Sequence, residues 1–396
     1  MGLTDRHVAV VGGGIAGAAT ALLAARAGAR VTLLEQRGQP FAADTGIVLQ
    51  ANGLAVLFGL DLDERLLRRG VPLSSLRLAD ARGRTIVEVP VPRFAEGLDH
   101  ALVLRRTELT MALFDLIAAE PGIACRFDAQ VVEAAASGEL TYLCAGATQR
   151  LVADVVVGAD GVHSAIRRHG GFDARLGMGK RYVRGLGSDV GQDRRMTEYW
   201  TGLGIFGVAP LRHGCYFYAS ADPPPLAHAL GRRDLGAFRE MWSRALPLAG
   251  DILAGVDHVE DAFVVRVDCK RWTSGRIVLV GDAAHGMPPN LGQGAGSALA
   301  DAAVLVWELA QPGDIADALT RYEARRRPAV RAVQKIAGLL ARLSDVGAVG
   351  LRAIRDASMH VLAPWLVGEV GMRLVEQQDP LWLRIAASNP SEALAR

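Results

Sequence analysis

The first forty residues carry an order of apolar and polar positions typical of a strand, a turn, a helix and a second strand. His7 to Val11 forms an apolar run, an alanine-rich stretch follows and ends near Gly28, and Arg30 to Leu34 forms the next apolar run. Short apolar runs bounded by glycine are typical of buried strands. The pattern therefore predicts a βαβ unit with parallel strands.

Two later apolar runs end in glycine and aspartate. Residues 154–158 lead into Gly158-Ala159-Asp160-Gly161, and residues 277–280 lead into Gly281-Asp282. A long helix is predicted next, roughly from Ala295 to Leu309. An acid at the carboxyl end of a parallel strand lies where ligands bind in such sheets. Both runs are therefore expected to bring binding groups to one edge of the sheet.

The middle of the chain alternates with a period of two. Residues 72–94 are typical of a hairpin with a turn at 81–83, and residues 181–220 and 259–269 are also strand-like. Residues 235–253 have a helical pattern. These segments predict a second sheet, inserted between pieces of the first domain, whose inner face would form a pocket.

Four aromatic residues of this region are candidates for the pocket wall: Tyr199, Phe206, Tyr216 and Tyr218. Alternation places Tyr216 and Tyr218 on one face of their strand and Phe217 on the other. The alternative, that each of these rings is ordinary sheet core, remains open.

The whole pattern predicts an α/β protein with a Rossmann-like parallel-sheet domain, an inserted and mainly antiparallel sheet domain, and C-terminal helices. The predicted bounds are 1–71, 96–178 and 272–330 for the first domain, 72–95 and 179–271 for the second, and 331–396 for the helical region. A packed helical cap is the favoured interpretation of that last region. The alternative is a dimer contact or a peripheral membrane patch through Trp365, Leu366, Trp382 and Leu383.

Composition and charge narrow the function classes. Of the 396 residues, 50% are hydrophobic and 22% are charged, which fits a packed globule. The formal net charge of +2 and the lack of a Lys/Arg-rich run argue against nucleic acid binding. The four cysteines are scattered, so we predict no metal site or disulfide framework and expect a cytoplasmic protein without a signal peptide. No apolar run is long enough to span a membrane, so membrane contact is not expected.

The first turn carries the spacing Gly12-x-Gly14-x-x-Gly17. Gly12 would make the tight turn, Gly14 would let a pyrophosphate approach the backbone, and Gly17 would let helix and strand pack closely. Glu35 follows the second strand, where an acid accepts hydrogen bonds from ribose hydroxyls and disfavours a 2′-phosphate. An ordinary glycine-rich turn is the alternative, but the combined features predict an NAD or FAD site.

Two later motifs favour FAD: the Gly158–Gly161 segment and the segment at residues 281–294. Pro288-Pro289 stiffens the loop after Asp282, and Gly292-Gln293-Gly294 opens the long helix. Together with the first turn and the Gly158–Gly161 motif, this order and spacing resembles the para-hydroxybenzoate hydroxylase family of flavoprotein monooxygenases. The resemblance covers roughly residues 7–330.

The resemblance implies roles for individual residues. Glu35 would bind the adenosine ribose, Arg106 the FAD phosphates, and Asp282 the ribityl chain, while Asp160 would lie near the pyrophosphate and help NAD(P)H engage. Pro289 would lie against the isoalloxazine ring, with Leu291 and Gly292 holding its pyrimidine edge. The remaining implied cofactor positions are Gly12, Gly14, Ile15, Ala16, Gly17, Arg37, Gly294 and Ala295.

Three single residues have competing interpretations. Arg106, next to Arg105, could instead belong to a solvated surface pair. His285 could act as an acid or base, although a loop histidine held by its motif is the favoured interpretation. Ser164 could cap a helix or contact a phosphate.

The function implied by the resemblance is hydroxylation or epoxidation of an aromatic or polycyclic small molecule, with NADH or NADPH and O₂, through a flavin C4a-hydroperoxide. The chain shows one dinucleotide fingerprint, so NAD(P)H is expected to bind transiently in a surface cleft. The alternatives are a flavin reductase or dehydrogenase without oxygen insertion, and a non-catalytic FAD-binding partner; the Pro289-x-x-Gly292 loop favours the monooxygenase. A monomer or homodimer is expected.

Overall fold

We describe a computed structural model that covers residues 3–40, 43–92, 94–95, 97–191, 193–344 and 376–388. Its strands are β1 (His7–Val11), β2 (Arg30–Leu34), β3 (Gly46–Leu49), β4 (Val71–Leu73), β5 (Ser75–Asp80), β6 (Thr85–Pro90), β7 (Ala101–Arg105), β8 (Ile123–Arg126), β9 (Ala129–Ala134), β10 (Glu139–Cys144), β11 (Ala147–Val152), β12 (Val155–Gly158), β13 (Ala174–Gly187), β14 (Arg195–Thr201), β15 (Gly204–Pro210), β16 (Cys215–Ser220), β17 (Glu260–Cys269), β18 (Thr273–Ser274) and β19 (Ile277–Leu279).

Its helices are α1 (Ile15–Arg26), α2 (Ala51–Gly59), α3 (Asp63–Arg69), α4 (Arg106–Ala119), α5 (Ala165–His169), α6 (Pro224–Gly231), α7 (Leu235–Ala245), α8 (Pro247–Leu253), α9 (Asp282–His285), α10 (Gly294–Ala310), α11 (Ile315–Leu343) and α12 (Pro380–Ser388). A 3₁₀ turn covers Pro289–Leu291.

The parallel sheet has the strand order β18-β19-β12-β1-β2-β8, and only β18 runs antiparallel within it. Its central strand β1 is fully buried, and Val8 pairs with Val31 on one side and Val155 on the other. Such strands are apolar along their whole length because helices cover both faces of a parallel sheet. This confirms the predicted βαβ unit and brings the ends of β1, β12 and β19 together at one edge.

The second sheet has the order β17-β13-β16-β15-β14-β5-β6 and is antiparallel except for the β14–β5 pair. It confirms the predicted hairpin and the mainly antiparallel inserted sheet. Helices α6, α7 and α8 cover one face, where Trp242 and Phe238 pack among buried sheet residues. The other face turns toward a small sheet of β3, β7 and β4, with Val48 and Val103 in the shared core.

One predicted element differs from the structure. Residues 235–253 form two helices, α7 and α8, that meet at Leu246. Pro247 lacks the N–H that a continuous helix needs and disfavours a helical conformation at Leu246, so it starts a new helix at its first turn. The long predicted helix is confirmed as α10, one residue longer at each end.

The C-terminal region is described in two parts, α11 and residues 376–388. Leu383 is fully buried, and Trp382 packs edge-on against Trp307 with ring centroids 5.3 Å apart. Both side chains take part in the packing of α12 on α2 and α10, and Leu383, being fully buried, is not available for a dimer contact or a membrane patch; for the half-buried Trp382 that alternative stays untested. Trp365 and Leu366 lie outside the described residues.

No helix of the described part has the length and apolar character needed to cross a bilayer. The domain bounds remain a prediction. Strand β13 runs without a break across the predicted boundary between residues 178 and 179.

Candidate functional site

The glycine turn after β1 is held by close backbone packing at two of its glycines. Gly12 has φ +101°, and a Cβ there would lie 2.5 Å from the carbonyl oxygen of Ala159. A Cβ on Gly17 would lie 1.8 Å from the carbonyl oxygen of Gly12. A Cβ on Gly14 would meet nothing within 4 Å. Packing therefore requires glycine at the first and last positions, whereas Gly14 borders open space.

Glu35 closes this turn from the end of β2. It is 8% exposed, and its carboxylate accepts hydrogen bonds from the backbone N–H of Gly13 at 2.7 Å and of Arg37 at 2.9 Å. A carboxylate can accept about four hydrogen bonds, so it retains capacity for ribose hydroxyls. The side chain of Arg37 is exposed.

The N-termini of α1 and α10 meet beside the turn after β19. Gly281 lies between them and leaves little room for a side chain. A Cβ built there would lie 3.1 Å from Cβ of Ala16 in α1 and 3.1 Å from Cβ of Ala298 in α10. Neither helix has a side-chain hydrogen bond at its N-cap, and a Cβ at Gly294 would meet nothing within 4 Å. Two uncapped helix ends direct free N–H groups and positive dipole ends into one region, which suits an anionic or carbonyl-rich ligand.

The carboxylate of Asp160 is occupied by hydrogen bonds within its own loop and the start of α5. It accepts hydrogen bonds from Ser164 Oγ at 2.5 Å and from the N–H groups of Ala165 and Ile166. Ser164 Oγ accepts from Arg167 N, so Ser164 caps α5. The backbone of Asp160 lies beside Gly12, as the predicted place near the pyrophosphate requires, but its carboxylate points to the start of α5.

Arg106 differs from its neighbour Arg105. Arg105 is exposed and paired with Asp44, whereas Arg106 starts α4 and is half-buried. Burial lowers the pKa of Arg106, the nearby charge of Arg184 adds to this, and Asp282 opposes it. Among the described residues no hydrogen bond to the Arg106 guanidinium is found. The charges of Arg106 and Asp282 thus lie close enough to influence each other, and the donors of Arg106 are available for an acidic group.

A buried polar network holds the turn that carries Asp282. Asp301 is fully buried and accepts hydrogen bonds from Gly281 N at 2.9 Å, His285 Nε2 at 2.5 Å and Arg326 Nε at 2.7 Å. Burial alone would raise the pKa of Asp301, but the His285 and Arg326 contacts hold it below its usual range. His285 is 1% exposed, which supports the interpretation that its motif holds it in place. Asp282 is exposed at the start of α9.

Sequence reasoning missed Asp301 and Arg326. Each is a charged residue within a helix, and neither is part of a recognisable motif. A signal was available: a charged side chain within the apolar stretch of α10 requires a buried partner.

The loop after α9 has a fixed shape. Pro289 starts the 3₁₀ turn, and Gly292 ends it with φ +63° and donates its N–H to the Pro289 carbonyl at 2.8 Å. The Leu291 carbonyl accepts from Gln50 Nε2 at 2.7 Å. Only glycine adopts this left-handed conformation without strain, so the loop presents bare backbone next to Gln50.

A cavity of about 160 Å³ lies between this loop and the inserted sheet. Among the described residues, its walls come from β3, Gln50, β5, β6, β14, β16, the loop and Leu340 of α11. The lining residues are Val48, Gln50, Leu76, Arg77, Leu78, Val87, Val89, Met196, Glu198, Trp200, Tyr218, Pro289, Asn290, Leu291, Gly292 and Leu340. Most of this surface is apolar, as in typical small-molecule sites.

The four aromatic candidates have different places. Tyr216 and Tyr218 share a face, with ring centroids 6.0 Å apart, and Tyr218 lines the cavity. Tyr216 lies against Gly46, where its ring fills the space that a Cβ would need. Phe206 stacks on Phe217 in the core beneath α7.

Tyr199 also packs in the core on the α6–α8 side of the sheet. The structure therefore does not bring Tyr199 or Phe206 to the cavity. The physical reason is strand alternation, since their neighbours Glu198 and Trp200 take the cavity face of β14 and Ile205 packs with Trp200.

Among the described lining residues, one side chain is acidic, that of Glu198. Glu198 Oε2 accepts a hydrogen bond from Tyr218 Oη at 2.5 Å, and Oε1 accepts from Trp200 Nε1 at 2.6 Å. Burial raises the pKa of Glu198 above its ordinary value, against these two hydrogen bonds and the charge of Lys180. Burial and the neighbouring Glu198 raise the pKa of Tyr218.

These features fit FAD. The open space at Gly14 and Gly294 and the two uncapped helix ends provide room and donors for a long ligand with phosphates at one end and a polar ring at the other. Glu35 lies at one end of this region, and the Pro289–Leu291 turn lies at the other beside the cavity.

The comparisons with known proteins agree with this fit. A family model described as an FAD binding domain matches residues 5–221 and 240–337. The chain is 33% identical over 352 residues to 3-amino-4-hydroxybenzoate 2-monooxygenase of Streptomyces cremeus, covering 85% of this chain and 87% of the relative. It is 31% identical to kynurenine 3-monooxygenase of Salinispora tropica, covering 81% of this chain and 76% of that protein.

Solved structures show the same fold. The tetrameric form of 2-methyl-3-hydroxypyridine-5-carboxylic acid oxygenase matches with a TM-score of 0.78 and 26% identity, over 95% of this chain and 97% of that one. The p-nitrophenol 4-monooxygenase of Pseudomonas putida matches in fold with a TM-score of 0.80 at 21% identity, over 98% and 99% of the two chains. The relatives are monooxygenases, which supports the predicted oxygen insertion over a reductase. The chain thus belongs to the FAD binding domain family and is an FAD-dependent monooxygenase that uses NAD(P)H and O₂.

Proposed function

We propose that this enzyme hydroxylates a ring of a small aromatic molecule held in the cavity between the Pro289–Leu291 turn and the inserted sheet. The observation that carries the proposal is that this turn, the predicted flavin contact, forms one wall of the cavity described above. The hydroxybenzoate, hydroxypyridine and nitrophenol in the names of the relatives are aromatic rings, which supports this substrate class.

The proposed cofactor path runs along the edge of the parallel sheet. Glu35 would accept the ribose hydroxyls, while the N-terminus of α1 and the guanidinium of Arg106 would bind the pyrophosphate. Asp282 would bind the ribityl hydroxyls. The N-terminus of α10, at Gly294 and Ala295, would face the polar edge of the flavin ring. Its positive dipole end would stabilise negative charge on that edge.

When bound, FAD supplies reduction by NAD(P)H and activation of O₂ for insertion of one oxygen atom into the substrate. The chain supplies position and dryness. Pro289 and Gly292 hold the loop backbone in one conformation, and the Gln50 hydrogen bond to Leu291 fixes the loop against the start of α2. The aliphatic wall of β5 and β6 keeps the substrate side apolar, which limits competing reactions with water.

Two further properties belong to the proposal. All four cysteines are free thiols, three of them with pKa values raised by burial, which supports a reducing cytoplasmic location. A monomer or homodimer stays a prediction, and one related structure is named as a tetrameric form.

The test is oxygen-atom incorporation. The FAD-loaded enzyme is incubated with NADH or NADPH and a panel of substituted phenols, anilines and benzoates under ¹⁸O₂, with catalase present. We expect a product that carries one ¹⁸O atom on its ring, detected by mass spectrometry. A reduced or dehydrogenated product without label would overturn the proposal in favour of a reductase.

A further inference from the structure

The inserted sheet changes from polar to aliphatic along one row of residues on its cavity face. The row consists of cross-strand neighbours from β13 to β6: Arg184, Tyr218, Gly207, Glu198, Leu78 and Val87. Residues directly opposite each other in neighbouring strands point to the same face of a sheet. The half of the row on β13 to β14 is therefore polar, and the half on β5 and β6 is aliphatic.

The polar half of the row carries charged and hydrogen-bonding groups. Gly207 leaves room for the ring of Tyr218, because a Cβ built there would lie 2.0 Å from Tyr218 Cζ. The ring thus crosses β15, and Tyr218 Oη donates to Glu198 Oε2 at 2.5 Å. The buried Nε of Arg184 has no hydrogen-bond partner in the part of the chain that the structure describes. This half is suited to the polar part of a ligand.

The aliphatic half of the row belongs to a wider apolar wall on one face of the β5–β6 hairpin. Leu78 pairs with Val87, Leu76 pairs with Val89, and Met196 of β14 lies next to Leu76. All five side chains line the cavity. The four residues of the hairpin are only half-buried. A ligand that removes half-buried aliphatic side chains from water gains binding free energy from the hydrophobic effect.

This aliphatic wall leads from β14 to the edge of the sheet. Strand β6 is the last strand in the sheet order, and neighbouring strands lie about 4.8 Å apart, so about 10 Å separate β14 from β6. An apolar cavity of about 150 Å³ holds one benzene ring. The cavity of about 160 Å³ therefore holds a ring and little more. A longer ring substituent must lie along the half-buried wall toward β6.

We propose that the aromatic substrate carries an unbranched alkyl chain of several carbons, and that this chain lies along Leu78 and Val87 toward the edge of the sheet. This inference rests on the proposed function and narrows its substrate class. A ring with only small or polar substituents would leave the aliphatic wall in contact with water. The polar half of the row determines the direction of the chain, because an alkyl group there would face Glu198 and Arg184 without satisfying them.

The test measures affinity against the length of the alkyl chain. Dissociation constants of the FAD-loaded enzyme for 4-methylphenol, 4-propylphenol, 4-butylphenol and 4-pentylphenol are measured by isothermal titration calorimetry. Burial of one methylene group strengthens binding by up to about fourfold, so 4-pentylphenol should bind at least about fiftyfold more tightly than 4-methylphenol. The control probe is 4-(2-methoxyethyl)phenol, which has the chain length of 4-butylphenol and a polar ether oxygen. It should bind several-fold more weakly than 4-butylphenol.

Two variants place a polar side chain on the aliphatic wall: Leu78→Asn and Val87→Asn. Each should lower the affinity ratio of 4-pentylphenol to 4-methylphenol at least about fivefold, because the chain then lies against an amide group. The affinity for 4-methylphenol should stay within about threefold, which also shows that the variants are folded. Val152→Asn is the matched control. Val152 is 63% exposed in the edge strand β11, outside the cavity lining, so the ratio should stay within about twofold.

The outcomes separate the two proposals. If affinity does not rise from 4-methylphenol to 4-pentylphenol, or if it rises equally in the unsubstituted enzyme and in both wall variants, the alkyl chain does not lie on this wall and the inference is overturned. Ring hydroxylation of any panel compound under ¹⁸O₂ would still support the proposed function. If no probe binds and no panel compound acquires label, the proposed function itself is overturned.

Discussion

The glycines of the first turn differ in what a side chain would meet at each position. At Gly17 a Cβ would meet the Gly12 carbonyl, whereas at Gly14 it would point into open space. The backbone of Gly14 has φ −70° and ψ −178°, a conformation that any residue adopts. Glycine at this residue is therefore not required by the protein's own packing, which leaves ligand approach as the reason for it.

This difference predicts opposite effects for two substitutions. Gly14→Val should keep the melting temperature of the FAD-free protein within about 2 °C, because a Cβ at this position meets no atom within 4 Å. Its affinity for FAD should fall at least about a hundredfold, since the side chain occupies the pyrophosphate path. Fluorescence titration with FAD measures the affinity.

The control is Gly17→Ala, which should be destabilised by about 3 kcal/mol or more through backbone overlap. FAD affinity of Gly14→Val equal to that of the unsubstituted enzyme would remove this turn from the cofactor site.

At the scale of an element, the Pro289–Leu291 turn has one conformation because three features restrict it. Proline fixes φ at Pro289, Gly292 takes the left-handed conformation, and Gln50 anchors the Leu291 carbonyl. Because the turn lines the cavity and none of its three residues is buried, its rigidity contributes more to the cavity wall than to the core.

We therefore predict that Pro289→Gly uncouples the reaction. A more mobile wall admits water and lets activated oxygen be lost before it is transferred. NAD(P)H oxidation should continue, while the ratio of hydroxylated product to NAD(P)H consumed should fall at least about threefold and hydrogen peroxide should rise. Product, peroxide and NAD(P)H are quantified in the same reaction.

Pro247→Gly is the matched control, because Pro247 also starts a helix but lies in the α6–α8 layer. Both variants lose the rigidity of proline and should melt slightly lower. An unchanged product ratio in Pro289→Gly, with a lowered melting temperature, would show that Pro289 serves stability alone.

The elements differ in how far local sequence determines them. The bounds of β1 and β2 are predictable, because apolar runs between glycines have few alternatives. The cavity wall is not predictable in this way, because it depends on the parallel pairing of β14 with β5. That pairing places Arg77 beside Thr197, 120 positions away in the chain. Alternation correctly groups Tyr216 with Tyr218, but which face α7 covers is decided by tertiary packing, and this moved Phe206 from the cavity into the core.

In the whole molecule, the C-terminal segment is tied to the cofactor edge by buried polar groups. Glu376 Oε2 accepts from Asn52 N at 2.7 Å, and Asn52 Nδ2 donates to Gln293, the N-cap of α10, at 2.7 Å. Gln377 accepts from Arg326, which also binds Asp301. The contact between Asn52 and Glu376 joins residues 324 positions apart, which no local motif could reveal.

The same network makes stability depend on pH through Glu376. Burial raises the pKa of Glu376 from 4.5 to about 7, against the hydrogen bond from Asn52. A carboxyl whose pKa is raised by folding favours the folded state while protonated, so its contribution is complete below pH 4.5 and is lost as pH rises through about 7. Above that pH, the folded protein carries an ionised carboxylate at a buried site.

Glu376→Gln should therefore stabilise the protein at pH 8 by about 1–3 kcal/mol, seen as a melting temperature raised by a few degrees, and leave it nearly unchanged at pH 5. The glutamine oxygen still accepts the Asn52 N–H, so the contact survives.

Glu64→Gln is the control. The ion pair of Glu64 with Arg68 is exposed, so its loss should change the free energy of unfolding by less than about 0.5 kcal/mol at either pH. Melting temperatures of the FAD-loaded proteins at both pH values decide the matter. If Glu376→Gln and the unsubstituted enzyme melt together at pH 8, the ionised Glu376 is not costly, and the C-terminal segment is not a pH-dependent part of the fold.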